Sequence, residues 1–203
     1  MRDGDRFRLT QGLGLDAQMV LRTAHKKHSI AEVEMVNTVP PPARRTAIAV
    51  APLKHNGRYE WLLEKLTELG ISDIYPVLTQ RTEKQQIRID RLHGILVSAM
   101  IQSQQCWLPR LHTPLLFSAL VREAAFDHKL IAHCMEGSKE SIRPAVGSAS
   151  TLLLIGPEGD FTPAELQEAQ EAGYRPVELG QTRLRTETAA LSGAVLLQLG
   201  ASQ

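Results

Sequence analysis

The chain has 203 residues with a formal net charge of +1; 43% of its residues are hydrophobic and 22% charged, which suits one good core, or one domain with a small appendage, and excludes disordered and fibrous classes. No apolar run approaches bilayer length and the first residues, MRDGDRFRLTQG, form no apolar signal segment, so a cytoplasmic protein without a membrane is predicted. Two cysteines without CxxC spacing and seven scattered histidines without an HExxH or HxH array predict neither a disulfide framework nor a metal site.

In chain order, Arg6 to Leu9 and Ala31 to Val36 are short alternating segments with Gly-containing turns at 11–14 between them, which predicts a few strands burying little surface alone. PPP at 40–42 breaks regular structure and marks a boundary, so the predicted units are residues 1–42, a small β piece, and 43–203. Beyond it, short apolar strands alternate with amphipathic helices: AIAVA at 47–51, a helix near 58–69, IYPV at 74–77, a helix near 89–105, KLIAH at 129–133, LLLIG at 152–156, a helix at 163–172, PVELG at 176–180 and a helix from about 187 to 199. This rhythm predicts an α/β fold whose parallel strands are covered by helices.

The helix opening FTPAELQEAQEAG is the best marked, with Thr162 as cap, Pro163 in the first helical position, Glu165 closing a capping box and Gly173 as C′. A core stripe is predicted from Trp61 or Leu62 with Leu66 and Leu69 on one helix, and from Leu92, Ile95, Leu96, Ala99 and Met100 on the next.

Three strands run into unusual ends. TLLLIGPEGDF at 151–161 stops an apolar run at two glycines, a proline and a carboxylate; it has neither the Gly-Lys-Ser/Thr of a P-loop nor a GxGxxG turn. A tight turn there brings bare backbone groups to a ligand, with Glu158 bracing neighbouring loops or touching that ligand. PVELG repeats the device, and TRLRTETAALSGAVLLQ then places Arg183, Arg185 and Glu187 at the start of an apolar helix. Arginines there oppose the helix dipole, so phosphate or a polarised base explains them better than helix stability does, although an Arg-Glu clamp at a subunit interface is the plainer reading. Thr186 and Thr188 are candidate caps, and the small residues from Ala189 to Ala194 predict a close neighbour or a dimer. KLIAH brings His133 and Cys134 to the same place, Cys134 being read as a plain buried thiol. HKKH at 25–28 and ARR at 43–45 gather positive charge locally, which alone reads as solvated surface.

Taken together, LK at 53–54, RYEWLLEKLTELGISDIYPV at 58–77, RIDRLHGILVSAMIQS at 88–103, LP at 108–109, LLIGPEGDFTPAEL at 153–166 and LGQTRLRTETAA at 179–190 resemble the RsmE family of ribosomal RNA uridine-N3 methyltransferases, of the SPOUT class. The resemblance implies a SPOUT-type fold with a deep C-terminal trefoil knot and a PUA-like β domain over residues 1–42, here without its first strands. It also implies a homodimer that uses S-adenosylmethionine (SAM) to methylate N3 of a uridine in the decoding region of 16S rRNA in the small subunit. Carried across, Ile155, Gly156, Glu158 and Gly159 match the central cofactor loop, and Leu179, Gly180, Leu184, Thr186 and Thr188 the third loop. His133 and Cys134 match the first loop less distinctively. Arg185, with Arg183, is expected to stabilise charge on the uracil carbonyls during transfer, and Lys54, Arg58, Arg81 and Glu187 to face substrate RNA or brace the loop. Two strings depart from the family pattern: LGQTRLR has Thr182 where an arginine is usual, and IQSQQ has Ile101 and Gln105 at usually charged positions. The alternatives are a noncatalytic RNA-binding or ribosome-assembly protein that has kept the fold, and a SAM enzyme for another RNA.

Overall fold

A computed structural model of the chain describes residues 1–142 and 149–199. Three antiparallel strands come first, β1 (Arg6–Leu9), β2 (Leu15–Thr23) and β3 (Ile30–Thr38), in one sheet of that order. There follow β4 (Thr46–Val50), α1 (Asn56–Glu68), β5 (Asp73–Leu78), α2 (Ile89–Gln102), β6 (Arg110–Leu111), β7 (Leu115–Leu116), α3 (Phe117–Glu123), β8 (His128–Ala132), β9 (Glu140–Ser141), β10 (Thr151–Ile155), α4 (Pro163–Glu171), β11 (Arg175–Glu178) and α5 (Thr186–Leu199). The later strands form an eight-stranded sheet in the order β6-β5-β4-β10-β8-β11-β9, with β7 also on β5, and all of its pairings are parallel.

The continuous apolar runs have a direct cause: the central strands are buried on both faces. Ile48, Val50, Leu153 and Ile155 point into a core with Leu62, Leu63 and Leu66 of α1, Leu92 and Leu96 of α2, and Ala190, Ala194 and Leu197 of α5. Their neighbours Ala47, Ala49, Leu152 and Leu154 point the other way, to Phe117 and Leu120 of α3, Leu166 and Ala169 of α4, and Tyr174. Each fully buried leucine contributes roughly 2 kcal/mol relative to exposure. Leu62 rather than Trp61 carries the stripe of α1, for Trp61 is 43% exposed.

At α4 the expected start and stop are present. Thr162 Oγ1 accepts the Glu165 N–H at 3.2 Å, Glu165 Oε2 accepts the Thr162 N–H at 2.8 Å, and Tyr174 N–H bonds back to the Ala169 carbonyl at 2.9 Å past Gly173. On α5, a Cβ at Gly193 would overlap the Leu153 side chain, so the small-residue stretch accommodates β10 of this same chain.

At the amino ends of β4 and β5, Arg45 donates Nε and Nη2 to Asp73 at 2.7 and 3.1 Å, and His112 Nε2 lies 2.7 Å from Asp73 Oδ1 with its ring stacked on Tyr75. The first sheet is fastened through Trp107, whose indole N–H reaches the Val39 and Pro40 carbonyls at 3.1 and 2.9 Å.

Candidate active site

Parallel strands deliver all their carboxyl ends to one edge, and ligands of open α/β sheets collect there. Adjacent strands β10, β8 and β11 end at Ile155, Ala132 and Glu178, and the loops that follow surround a cavity of about 770 Å³. The first loop contributes His133, Cys134 and Lys139, and the second contributes Gly156, Pro157, Glu158 and Asp160. The third contributes Leu179, Gly180, Gln181, Thr182, Arg183, Leu184 and Arg185, with Thr186, Glu187 and Ala189 from the start of α5 and Arg58 from α1. Gly156 and Gly180 therefore meet in one enclosure.

The second loop is held from three sides. Glu158 Oε1 accepts the backbone N–H of Lys54 at 3.4 Å, after β4. From the loop after β5, Arg81 Nη1 donates to the Gly159 carbonyl at 2.7 Å, and Gln80 N–H donates to Glu165 Oε1 at 2.8 Å. From the loop after β8, Cys134 N–H donates to Asp160 Oδ2 at 2.8 Å while Asp160 Oδ1 accepts Phe161 N–H at 2.8 Å. Asp160 does this from a left-handed backbone, φ 62°, which aspartate tolerates better than most side chains. Sequence reasoning missed Asp160 and Lys139. The only signal for Asp160 was its place directly after the second glycine of GPEG.

Arg183 and Arg185 line the cavity, are exposed, and have no ion-pair partner among the described residues. Arg58, by contrast, pairs with Glu187 at 3.6 Å within this chain. Both ring nitrogens of His133 are buried without a hydrogen-bond partner among the described residues. Burial, with help from the Lys139 cation, lowers the His133 pKa and favours neutral imidazole.

Of the expected site residues, Gly159, Thr188, Lys54 and Arg81 stand outside the lining. Lys54 Nζ pairs with Glu83 at 2.9 Å, and Arg81 spends its guanidinium on loop carbonyls. Two readings are corrected. Cys134 is exposed rather than buried, because it lies past the end of β8. Neither threonine caps α5: Thr186 is its first residue, buried, Thr188 is exposed, and the Arg185 carbonyl accepts the Ala189 N–H at 2.8 Å.

A family profile described as an RNA methyltransferase domain matches residues 40–198. The chain is 32% identical over 198 residues to a ribosomal RNA small subunit methyltransferase E of Synechocystis sp., covering 93% of this chain and 64% of that one, so it spans a little under two thirds of that relative's length. A probable rRNA-methyltransferase from Porphyromonas gingivalis superposes with a TM-score of 0.91 at 33% identity, over 100% of this chain and 87% of that one. A ribosomal RNA small subunit methyltransferase E from Neisseria gonorrhoeae, solved bound to S-adenosyl methionine, superposes with a TM-score of 0.87 at 27% identity, over 98% of this chain and 84% of that one.

Proposed function

Because the chain belongs to the ribosomal RNA small subunit methyltransferase E family, we propose that it transfers a methyl group from SAM to N3 of a uridine in 16S rRNA. The observation that carries this reading is the convergence of three strand-end loops on one cavity whose wall holds two arginines without an ion-pair partner among the described residues. The residues fit the cofactor. Ile155, Val177, Leu179 and Leu184 offer apolar walls for a base, and the orphaned His133 nitrogens await a hydrogen-bond partner. Asp160 and Glu178 supply carboxylates for a cation, and about 770 Å³ lies within the usual range for such ligands.

When bound, SAM supplies an electrophilic methyl carbon on a sulfonium. N3 of uracil carries a proton in the neutral base, and its loss to solvent leaves negative charge shared with the flanking carbonyl oxygens. Arg185, with Arg183 beside it, stabilises that charge in place of water and orients the ring towards the methyl group. Glu187 holds Arg58 at the cavity wall, leaving Arg183 and Arg185 free for substrate. The target base must leave its stack to reach such a pocket, which costs least in a loop of RNA.

The finer parts of the reading have separate support. A trefoil knot accords with the path from β11 at one side of β8 and β10 back to α5, which packs on α1, β4 and β10. A PUA-like module over 1–42, separate from 43–203, accords with the antiparallel β1-β2-β3 sheet. A homodimer accords with exposed Trp61, Ile101 and Val195, and a cytoplasmic location with the rRNA target. The test incubates purified protein with SAM and undermethylated small subunits, followed by nucleoside mass spectrometry. N3-methyluridine is expected at one site; its absence with folded protein overturns the assignment.

A further inference from the structure

A second cleft, of about 350 Å³, opens between the starts of α1 and α2 and the segment leading into α2. Asn56, Tyr59, Glu60, Lys84, Arg88 and Arg91 are among its lining. Three cations there face one carboxylate, and Arg91 already holds that carboxylate, Nε to Glu60 Oε1 at 2.6 Å and Nη2 to Oε2 at 2.9 Å. Neither Lys84 nor Arg88 forms an ion pair within 4 Å among the described residues, although Arg91, helped by the Lys84 charge, holds the Glu60 carboxyl below its usual value. Asp90, in the first turn of α2, is exposed and outside the lining.

Beside Gln86, Ile87 and Leu92, the wall also presents hydrogen-bond donors in want of an acceptor. Both helices begin here without a side-chain cap, at His55 and at Arg88, which leaves first-turn amide N–H groups open to an acceptor, although Arg58 N–H already reaches the His55 carbonyl at 3.1 Å. Tyr59 is only 3% exposed, and its buried hydroxyl has no hydrogen-bond partner among the described residues. Burial pushes the Tyr59 phenol upwards, which keeps its proton on at physiological pH. Leaving such a group unpaired is costly, and an anionic oxygen ligand would answer it together with the free cations.

We propose that this cleft binds a backbone phosphate of the RNA substrate, close in the strand to the base presented to Arg185. The inference rests on the rRNA methyl-transfer reading above. What singles out RNA over a free anion is continuity: the first turn of α1 gives Arg58 to the large cavity and Asn56, Tyr59 and Glu60 to this one. A strand crossing that turn reaches both.

The test measures binding of a decoding-region rRNA fragment across a salt series, beside SAM titration and methyl transfer. Lys84→Gln with Arg88→Gln is expected to weaken RNA binding by about tenfold or more and to lower the salt slope by roughly one per cation removed, with SAM affinity unchanged. Tyr59→Phe, which keeps the ring in the core, is expected to weaken it by about threefold. Unchanged RNA affinity and salt slope in the double variant overturn the cleft as an RNA site. So does saturable binding of inorganic phosphate, lost in that variant, that fails to compete with RNA. Cleft-dependent RNA binding without any methyl transfer would instead overturn the enzymatic reading and leave the cleft standing.

Discussion

Arg183 and Arg185 gain nothing from their position just before α5: they are exposed cations, without an ion-pair partner among the described residues, at the positive end of that helix. The proposed stabilisation of developing negative charge would account for them. Arg185→Ala is therefore expected to lower kcat about a hundredfold, as loss of one preorganised donor commonly does, while SAM affinity changes little. Single-turnover assays beside calorimetric SAM titration separate the two. Asp160 acts differently, since its carboxylate joins the loops after β8 and β10 without belonging to either arginine. Asp160→Ala loses both bonds and puts a less tolerant residue at φ 62°, at a cost of about 1–3 kcal/mol in stability. Its KM for SAM is expected to rise several-fold with kcat nearly kept, and Asp160→Asn to retain part of both. Thermal melts and steady-state kinetics would reveal the opposite split if Asp160 acted in the chemical step. The role of Asp160 was not legible in the sequence, because it depends on one left-handed residue and on which strand happens to lie beside β10.

Elements were legible where burial on two faces writes a continuous apolar run, as in TAIAV of β4 and TLLLI of β10, and where a cap is spelled locally, as at Thr162 and Glu165. β2 was missed for a physical reason: register shifts between Gln18 and Met19 and between Leu21 and Thr23 break the alternation that reveals a strand. α3 has seven residues, too few for a helical period to stand out. The contact between α5 and β10 sets a sharp expectation: Gly193→Val must displace Leu153 and should cost about 1–3 kcal/mol in denaturant titration, with Gly193→Ala nearer the lower bound. The pair of strand starts at Arg45 and Asp73 sets another. Burial alone would raise the Asp73 carboxyl, but hydrogen bonds from Arg45 and His112 outweigh it and hold it below its usual value. A depressed folded-state pKa gives stability that is whole above the unfolded value and lost as pH falls through the folded one. Melting temperature is expected to drop below about pH 4, and less steeply in Asp73→Asn.

At the scale of the whole molecule, the sequence marked three strand ends but could not say that they are neighbours. Strand order places β10, the seventh strand of this sheet along the chain, between β4 and β8, and that insertion is what closes the cavity. Local periodicity carries no information on such long-range order, so only the resemblance implied it. The same long-range view separates the two sheets. Neither core of the parallel sheet contains a side chain from residues 1–42; the first sheet buries Ala17, Val20 and Leu21 apart from them. It is held through backbone bonds such as Gly14 N–H to Cys106 O at 2.8 Å and Leu108 N–H to Gly12 O at 2.9 Å, and through Trp107. A fragment of residues 43–203 is thus expected to fold and to bind SAM within about threefold of the full chain, because the cavity loops lose no contact and a threefold change is under 1 kcal/mol. RNA affinity should fall further, since the exposed Lys26 and Lys27 at the β2–β3 turn are removed. Equal losses of SAM and RNA affinity would mean that the first sheet supports the fold of the second, against the separation seen in their cores.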